Sequence, residues 1–301
     1  MKTNIKITNY LFSCAVCTGA LLLMAANAPA QNLFSANYIT DDIYEYTPAG
    51  SQSTFATGMN YPAGIAFNST GDLFVANSAN NVLPAAGNIT EIAPNGTQSI
   101  FASGLDPQAL AFNSAGDLFE ADYRSGNIYE YTPGGVQSTF ATGLFIPISL
   151  AFNNAGDLFV GTGGGNNGVI IEITPGGIQS TFATGLSFPE GLTFNSAGNL
   201  FEADASNNIF EFTPGGTRST YAAVFSPDGL ALDSAGNLFV STHSGPIIEI
   251  APNGTQSTFA TQSGIATGLA FQPVPEPSAF ALIGLGVGTL IMRRRISSAK
   301  N

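Results

Sequence analysis

The sequence predicts an all-β protein: a six-bladed β-propeller of four-stranded antiparallel blades, closed by its last strand. Three observations carry the prediction. The first is repetition. Residues 108–144, QALAFNSAGDLFEADYRSGNIYEYTPGGVQSTFATGL, hold four markers, ALAF, DLFEAD, IYEY-TPGG and STFA, and each slot recurs six times. The ALAF slot ends at Phe67, Phe112, Phe152, Phe194, Leu232 and Phe271, at spacings of 45, 40, 42, 38 and 39 residues. A period near 40 with four short runs per unit is that of a propeller blade. The second is local chemistry: Phe, Tyr, Ile, Thr and Val fill the runs, while Asn-Ser-Ala-Gly and Pro-Gly-Gly fill the gaps, where glycine supplies the positive φ of a hairpin turn. The third is the tally at the ends. Runs 32–37, 43–46 and 53–56 precede the first complete ALAF-type strand at 61–67, and one lone ALAF-type strand, 268–271, follows the last STFA at 257–260. Three and one make a blade, so the last strand completes the first sheet and removes the open edges of the array.

In chain order, Lys2 and Lys6 lead an apolar run ending near Met24, and Ala28-Pro29-Ala30 fits the small-x-small rule of signal peptidase, so residues 1–30 read as a signal peptide cleaved after Ala30. A lipoprotein reading at Cys14 is the alternative; Leu11 and Ser13 suit it and Phe12 does not. Cys14 and Cys17 are the only cysteines, so the mature domain forms neither a disulfide nor a thiolate metal site. Residues 31–272 form the propeller, one domain large enough to bury both faces of its sheets. Within Ile128-Tyr129-Glu130-Tyr131 the tyrosines share one face and Ile128 and Glu130 the other.

Between 31 and 272 the only basic residues besides His243 are Arg124 and Arg218, against every Asp and Glu of the chain except Glu276. Binding nucleic acid by counterion release needs Lys and Arg, and anionic lipid would be repelled, so neither is a partner of this domain. A neutral or cationic ligand, an exopolysaccharide or a protein, is expected instead.

Residues 273–301 differ in kind. Val274-Pro275-Glu276-Pro277 leads into the apolar run 279–292 and then Arg293-Arg294-Arg295. Fourteen apolar residues are short for a spanning helix, which takes about 20, and the arginines would stay cytoplasmic. A simple C-terminal anchor is one reading. The tripartite order also resembles the PEP-CTERM sorting signal. That resemblance implies an exosortase-like enzyme cutting near Pro275-Glu276-Pro277, transient membrane insertion, and delivery to the envelope or extracellular matrix of a Gram-negative-type bacterium.

The runs Pro62-Ala63-Gly64-Ile65-Ala66-Phe67 and Asp117-Leu118-Phe119-Glu120-Ala121-Asp122 resemble NHL repeats. Relatives on similar propellers include gluconolactonase-like metal hydrolases, streptogramin lyases and pure binding modules, so function must be argued from the site. Glu45, Glu91, Glu130, Glu172, Glu211 and Glu249 fill one slot in every blade, and copies spread around a ring cannot converge on one ligand. They read as scaffold, as do the STFA hydroxyls and the turn acids Asp72, Asp117 and Asp157.

What differs between blades is more informative. The start of the ALAF strand and the end of the DLFEAD strand lie at one end of a blade, which by analogy with similar propellers rims the channel. The first position supplies Ala63, Gln108, Ile148, Glu190, Asp228 and Thr267; the second supplies Asn37, Asn77, Asp122, Thr162, Asp204 and Thr242. Candidate rim ligands are therefore Asn37, Asn77, Gln108, Asp122, Glu190, Asp204, Asp228 and His243. Such oxygen ligands suit Ca²⁺ or Mg²⁺ at the channel mouth, although no cofactor is required. Resemblance to the gluconolactonase-like enzymes implies Glu190, Asp228 and Asn77 as metal ligands with Asp204 as base, but that family places its Glu before Gly-Pro, whereas Glu190 follows Pro189 and precedes Gly191.

His243, the only histidine, lies in the loop Ser241-Thr242-His243-Ser244-Gly245 and reads as a surface turn residue before a general base. Glu120 and Glu202 stand where other blades carry Ser35, Val75, Val160 and Val240; Arg124 is expected to pair with Glu120, and Glu202 has no evident partner. The long loops 82–88 and 163–168 are exceptions to the repeat, and the second lacks the Lys and Ser/Thr of a phosphate cradle. The leading expectation is a non-catalytic binding or structural module displayed outside the cell. The alternative is a divalent-metal hydrolase of a lactone or small ester.

Overall fold

A computed structural model describes residues 31–78 and 87–273. The expected signal peptide, the C-terminal apolar helix and most of loop 82–88 lie outside the described residues. Within them the chain forms six four-stranded antiparallel sheets arranged as a propeller. Blade one combines the last strand, Ala266–Phe271, with Leu33–Asn37, Asp42–Tyr46 and Gln52–Thr57; blades two to six follow in sequence from Pro62, Pro107, Pro147, Pro189 and Pro227. The closure is therefore as expected. Phe271 faces Leu33 and Leu269 faces Ser35, and beyond the pairing Gln272 N donates to Asn32 O while Gln31 Nε2 donates to Gln272 O at 2.9 Å.

The repeated phenylalanines explain themselves in this arrangement. The Phe of each DLF run meets, edge to face, the STFA aromatic of its own blade, and in five of the six blades also the ALAF Phe of the next. Phe34 lies 5.0 Å from both Phe55 and Phe67, Phe119 packs on Phe140 and Phe152, and Phe239 on Phe259 and, across the closure, Phe271. Such contacts add to the burial of each ring. Six apolar clusters result, each drawn from two adjacent blades. Ile128 enters the cluster toward blade four, and Tyr129 and Tyr131 the one toward blade two, as alternation requires.

At one end of the inner strands the connecting turns are copies of each other. Asn113 Oδ1 accepts from the backbone N–H of Ala115 and Asp117, and Asn113 Nδ2 donates to Asp117 Oδ2 at 3.0 Å. Asn68, Asn153, Asn195 and Asp233 build the same corner. The slot glutamates brace it in places: Asn199 donates to Glu211, and in blade one, where no turn exists, Asn32 donates to Glu45 at 2.6 Å.

Candidate functional site at the channel mouth

The other end of the inner strands opens on a cavity of about 340 Å³, at the lower end of ligand-site volumes of roughly 300–1,000 Å³. Each blade contributes the same slot to its wall: Thr267, Ala63, Gln108, Ile148, Glu190 and Asp228. A β-bulge puts them there. In blade five Pro189 pairs with Asp204 but Gly191 with Ala203, leaving Glu190 as the extra residue, and the register slips at the same place in every blade. A bulge bends the strand and re-aims one side chain, here from the blade interface into the channel.

The residue after the bulge is glycine in four blades because the inner strands touch through it. A Cβ on Gly191 would sit 2.3 Å from the Asp228 carbonyl oxygen, and one on Gly229 2.5 Å from that of Thr267. In blade four Ser149 takes this place and donates to Pro189 O at 2.6 Å. The residue before the strand-opening proline is also constrained. Tyr61, Ile146, Phe188 and Ser226 adopt left-handed φ of 48 to 52°, a conformation strained for such side chains and disfavoured before proline. The strained turns let the rim loops bond to one another: Ser78 N donates to Tyr61 O, Gly163 N to Ile146 O and His243 N to Ser226 O.

That last bond places the one histidine. With its backbone pinned to Ser226, His243 turns over the channel and sets Nε2 2.6 Å from Asp228 Oδ2. His243 is thus a channel-mouth residue and not merely the surface turn expected from its loop. Glu190, on the neighbouring blade, completes a cluster whose ligand atoms all lie within 4.8 Å of one another. Burial and then Asp228 push the Glu190 carboxyl up to about 8, with His243 opposing. The hydrogen bond to Asp228 raises His243 above its ordinary range, against the effect of burial. At neutral pH Glu190 is therefore largely protonated beside the hydrogen-bonded Asp228–His243 pair.

The other half of the expected rim turns away. Asn37, Asn77, Asp122, Thr162, Asp204 and Thr242 are buried and do not line the cavity. Their strand ends carry tight turns whose N–H groups need acceptors. Asn37 Oδ1 accepts from Ile39 N and Thr40 N, Asp122 from Asp106 N and Ser125 N, and Asp204 from Ser187 N and Ser206 N, each of the last two at 2.8 Å. Asn77 donates to Asn88 and Thr90 and accepts from Asn60 N. Among the eight candidate ligands the structure thus brings Gln108, Glu190, Asp228 and His243 to the channel. Asn77 is not beside Glu190 and Asp228, and Asp204 is capped by two amides.

Arg124 does not serve Glu120. Its Nε donates to Asp106 Oδ2 at 3.2 Å, because both project from the mouth-side loops of blade three. Glu120 and Glu202 are completely buried, and no hydrogen-bond partner reaches their carboxyl oxygens. Burial, then Asp204, raises Glu202 to about 9; burial, then Asp122, raises Glu120 well above the ordinary range. Glu202 is thus held as a neutral acid at neutral pH.

Sequence reasoning missed Tyr38, which lines the cavity and packs on Tyr61 with ring centroids 5.0 Å apart and planes tilted by 56°. It also missed the exposed apolar residues of the rim loops: Ile39, Phe145 (67 % exposed), Phe188 and Phe225 (72 %). Their signal was available, since they sit beside the strand ends where the repeat breaks down.

Comparison with known proteins agrees with the fold and the tail. Residues 273–295 match the PEP-CTERM protein-sorting motif, which implies export and membrane anchoring before processing. No curated protein matches the chain significantly in sequence. Its structural neighbours include gluconolactonase-like six-bladed β-propellers. A gluconolactonase from Xanthomonas campestris superposes with a TM-score of 0.64 at 15% identity, covering 83% of this chain and 94% of the other. Regucalcin, a calcium-binding protein from Agrobacterium tumefaciens, gives 0.61 at 17%, covering 70% and 78%. A catalytically inactive virginiamycin B lyase from Staphylococcus aureus, solved with quinupristin, gives 0.60 at 15%, covering 82% and 94%. At these identities the likeness is one of fold.

Proposed function

We propose that this exported propeller is a binding module of the cell envelope or extracellular matrix, which holds a small neutral or cationic group at the mouth of its channel. One observation carries the reading: the titratable acid and imidazole side chains of the cavity wall, Glu190, Asp228 and His243, cluster on adjacent blades, and the remaining bulge positions are Ala63, Gln108, Ile148 and Thr267. That sets the titratable groups on one side of a cup whose other bulge positions are uncharged, a few convergent polar groups as small-ligand sites have. Exposed Phe145, Phe188 and Phe225 on the rim loops extend the cup with rings suited to stacking on a ligand's body. Asn77 and Asp204, needed for the hydrolase reading, are committed to loop hydrogen bonds.

A second reading rests on the 4.8 Å cluster itself. Two carboxylates and an imidazole, open on the channel side, fit a divalent ion. The imidazole moves the preference from Ca²⁺ or Mg²⁺, which take oxygen ligands, toward Zn²⁺ or Mn²⁺. Glu190, Asp228 and His243 would hold such an ion, which when bound would polarise an ester or lactone carbonyl. Purified protein titrated with Ca²⁺, Mg²⁺, Mn²⁺ and Zn²⁺ and assayed on a lactone panel separates the readings. The binding module predicts no turnover with any ion. Metal-dependent turnover that vanishes in the Glu190→Gln, Asp228→Asn double variant would replace it with the hydrolase.

A further inference from the structure

The strand that closes the ring also fixes where the chain leaves it. Ala266–Phe271 enters at the mouth, where Thr267 lines the cavity, and runs to the opposite end, where Phe271 pairs with Leu33 and Gln272 N donates to Asn32 O. The exit is thus held on the turn face, on the innermost strand. Five residues, 274–278, separate Pro273 from the apolar run at 279, a tether of about 20 Å at full stretch.

For the mouth to face the bilayer, that tether would have to travel outward past three strand spacings, about 14 Å, and then up the height of a six-residue strand, about 20 Å. The detour of more than 30 Å exceeds its reach. The orientation that needs no detour has the turn face toward the lipid, and charge keeps that contact loose. The turn face carries Asp72, Asp117, Asp157 and Asp233, which disfavour adhesion to anionic lipid.

We propose that, while its C-terminal segment is held in a membrane, the propeller stands with its turn face apposed to the lipid surface and its channel mouth facing away, open to ligand throughout anchoring. Protein beginning at Gln31, which has no cysteine, takes a single label through Ala115→Cys on the turn face or Ala205→Cys on a mouth loop, both exposed positions. The chain is anchored in phosphatidylcholine vesicles bearing a headgroup acceptor dye, and energy transfer is measured.

Transfer from Ala115→Cys several-fold greater than from Ala205→Cys is expected. Equal or reversed efficiencies would overturn the orientation, and no transfer from either site would remove the bilayer as the apposed surface. Inserting about twenty Gly and Ser residues after Pro273 gives a tether long enough for the detour and is expected to bring the two efficiencies together. A difference that survives the insertion would show that the tether does not set it.

Discussion

At the turn end of the channel, five blades repeat one corner, in which an Asn or Asp side chain accepts from the backbone two and four residues on. At the mouth end, the same inner strands present Thr267, Ala63, Gln108, Ile148, Glu190 and Asp228, no two alike. The bulge that delivers these side chains is as regular as the corner. What varies is only the group it delivers. Identical backbone at both ends with free variation at one is the expected division between scaffold and site, because a ring of identical groups has no direction in which to hold a ligand.

The comparison can be broken most severely at the seam. Deleting 264–271 is expected to abolish cooperative unfolding, whereas ending the chain after Pro273 should leave Tm unchanged. Equal melting of the two truncations would remove the closing strand from the scaffold. Next, Gly191→Ala drives a Cβ to 2.3 Å from the Asp228 carbonyl and should cost about 2–4 kcal/mol while parting the acid pair. Gly116→Ala at the turn end meets only an ordinary contact with Pro133 at 3.9 Å and has only its positive φ to lose, about 1 kcal/mol. Urea unfolding of both variants tests whether the mouth is the more tightly specified end.

Glu202→Val, which copies Val75, Val160 and Val240, should stabilise the fold by about 4 kcal/mol more at pH 8 than at pH 5. The native carboxyl titrates near 9, above its unfolded value, so the fold retains a proton that the unfolded chain releases. Its contribution is whole in acid and is lost as pH rises from the unfolded value through 9. The advantage of Val should therefore shrink toward pH 5, and denaturant midpoints at the two pH values check the slope. The smallest effect is expected of Asp228→Asn. Losing the carboxylate should lower the His243 pKa, read directly from the single histidine by NMR, with less than about 1 kcal/mol change in stability because the ring is partly exposed.

The blades, their count and their closure were legible because period, turn residues and unpaired end runs all constrain the same topology. The mouth was half legible. The slots opening the inner strand reach the cavity wall, but antiparallel pairing and analogy with similar propellers assigned the ends of the second strand to the same rim. There the need of backbone N–H groups in tight turns outweighed any ligand role, and it drew Asn37, Asp122 and Asp204 inward. The bulge left no mark in the pattern of apolar residues, since one extra residue looks like ordinary alternation until the partner's register is known. Arg124 was matched with Glu120 by nearness in sequence, whereas the loop geometry gave it Asp106.

The seam has a consequence for the order of events during biogenesis. Gln31 and Gln272 are joined by a hydrogen bond across 241 residues, so the first blade lacks its inner strand until almost the whole domain has been delivered. Long-range pairing of this kind is slow, and its closure entropy is met before any contact rewards it. A chain exported from its N-terminus accordingly emerges as an open arc with two unpaired flanks. It becomes a ring only when residues 266–271 have crossed, immediately ahead of the sorting segment. Completion of the fold and arrival of the anchor are thus consecutive steps, and a chain stalled before its last strand would present no finished channel at all.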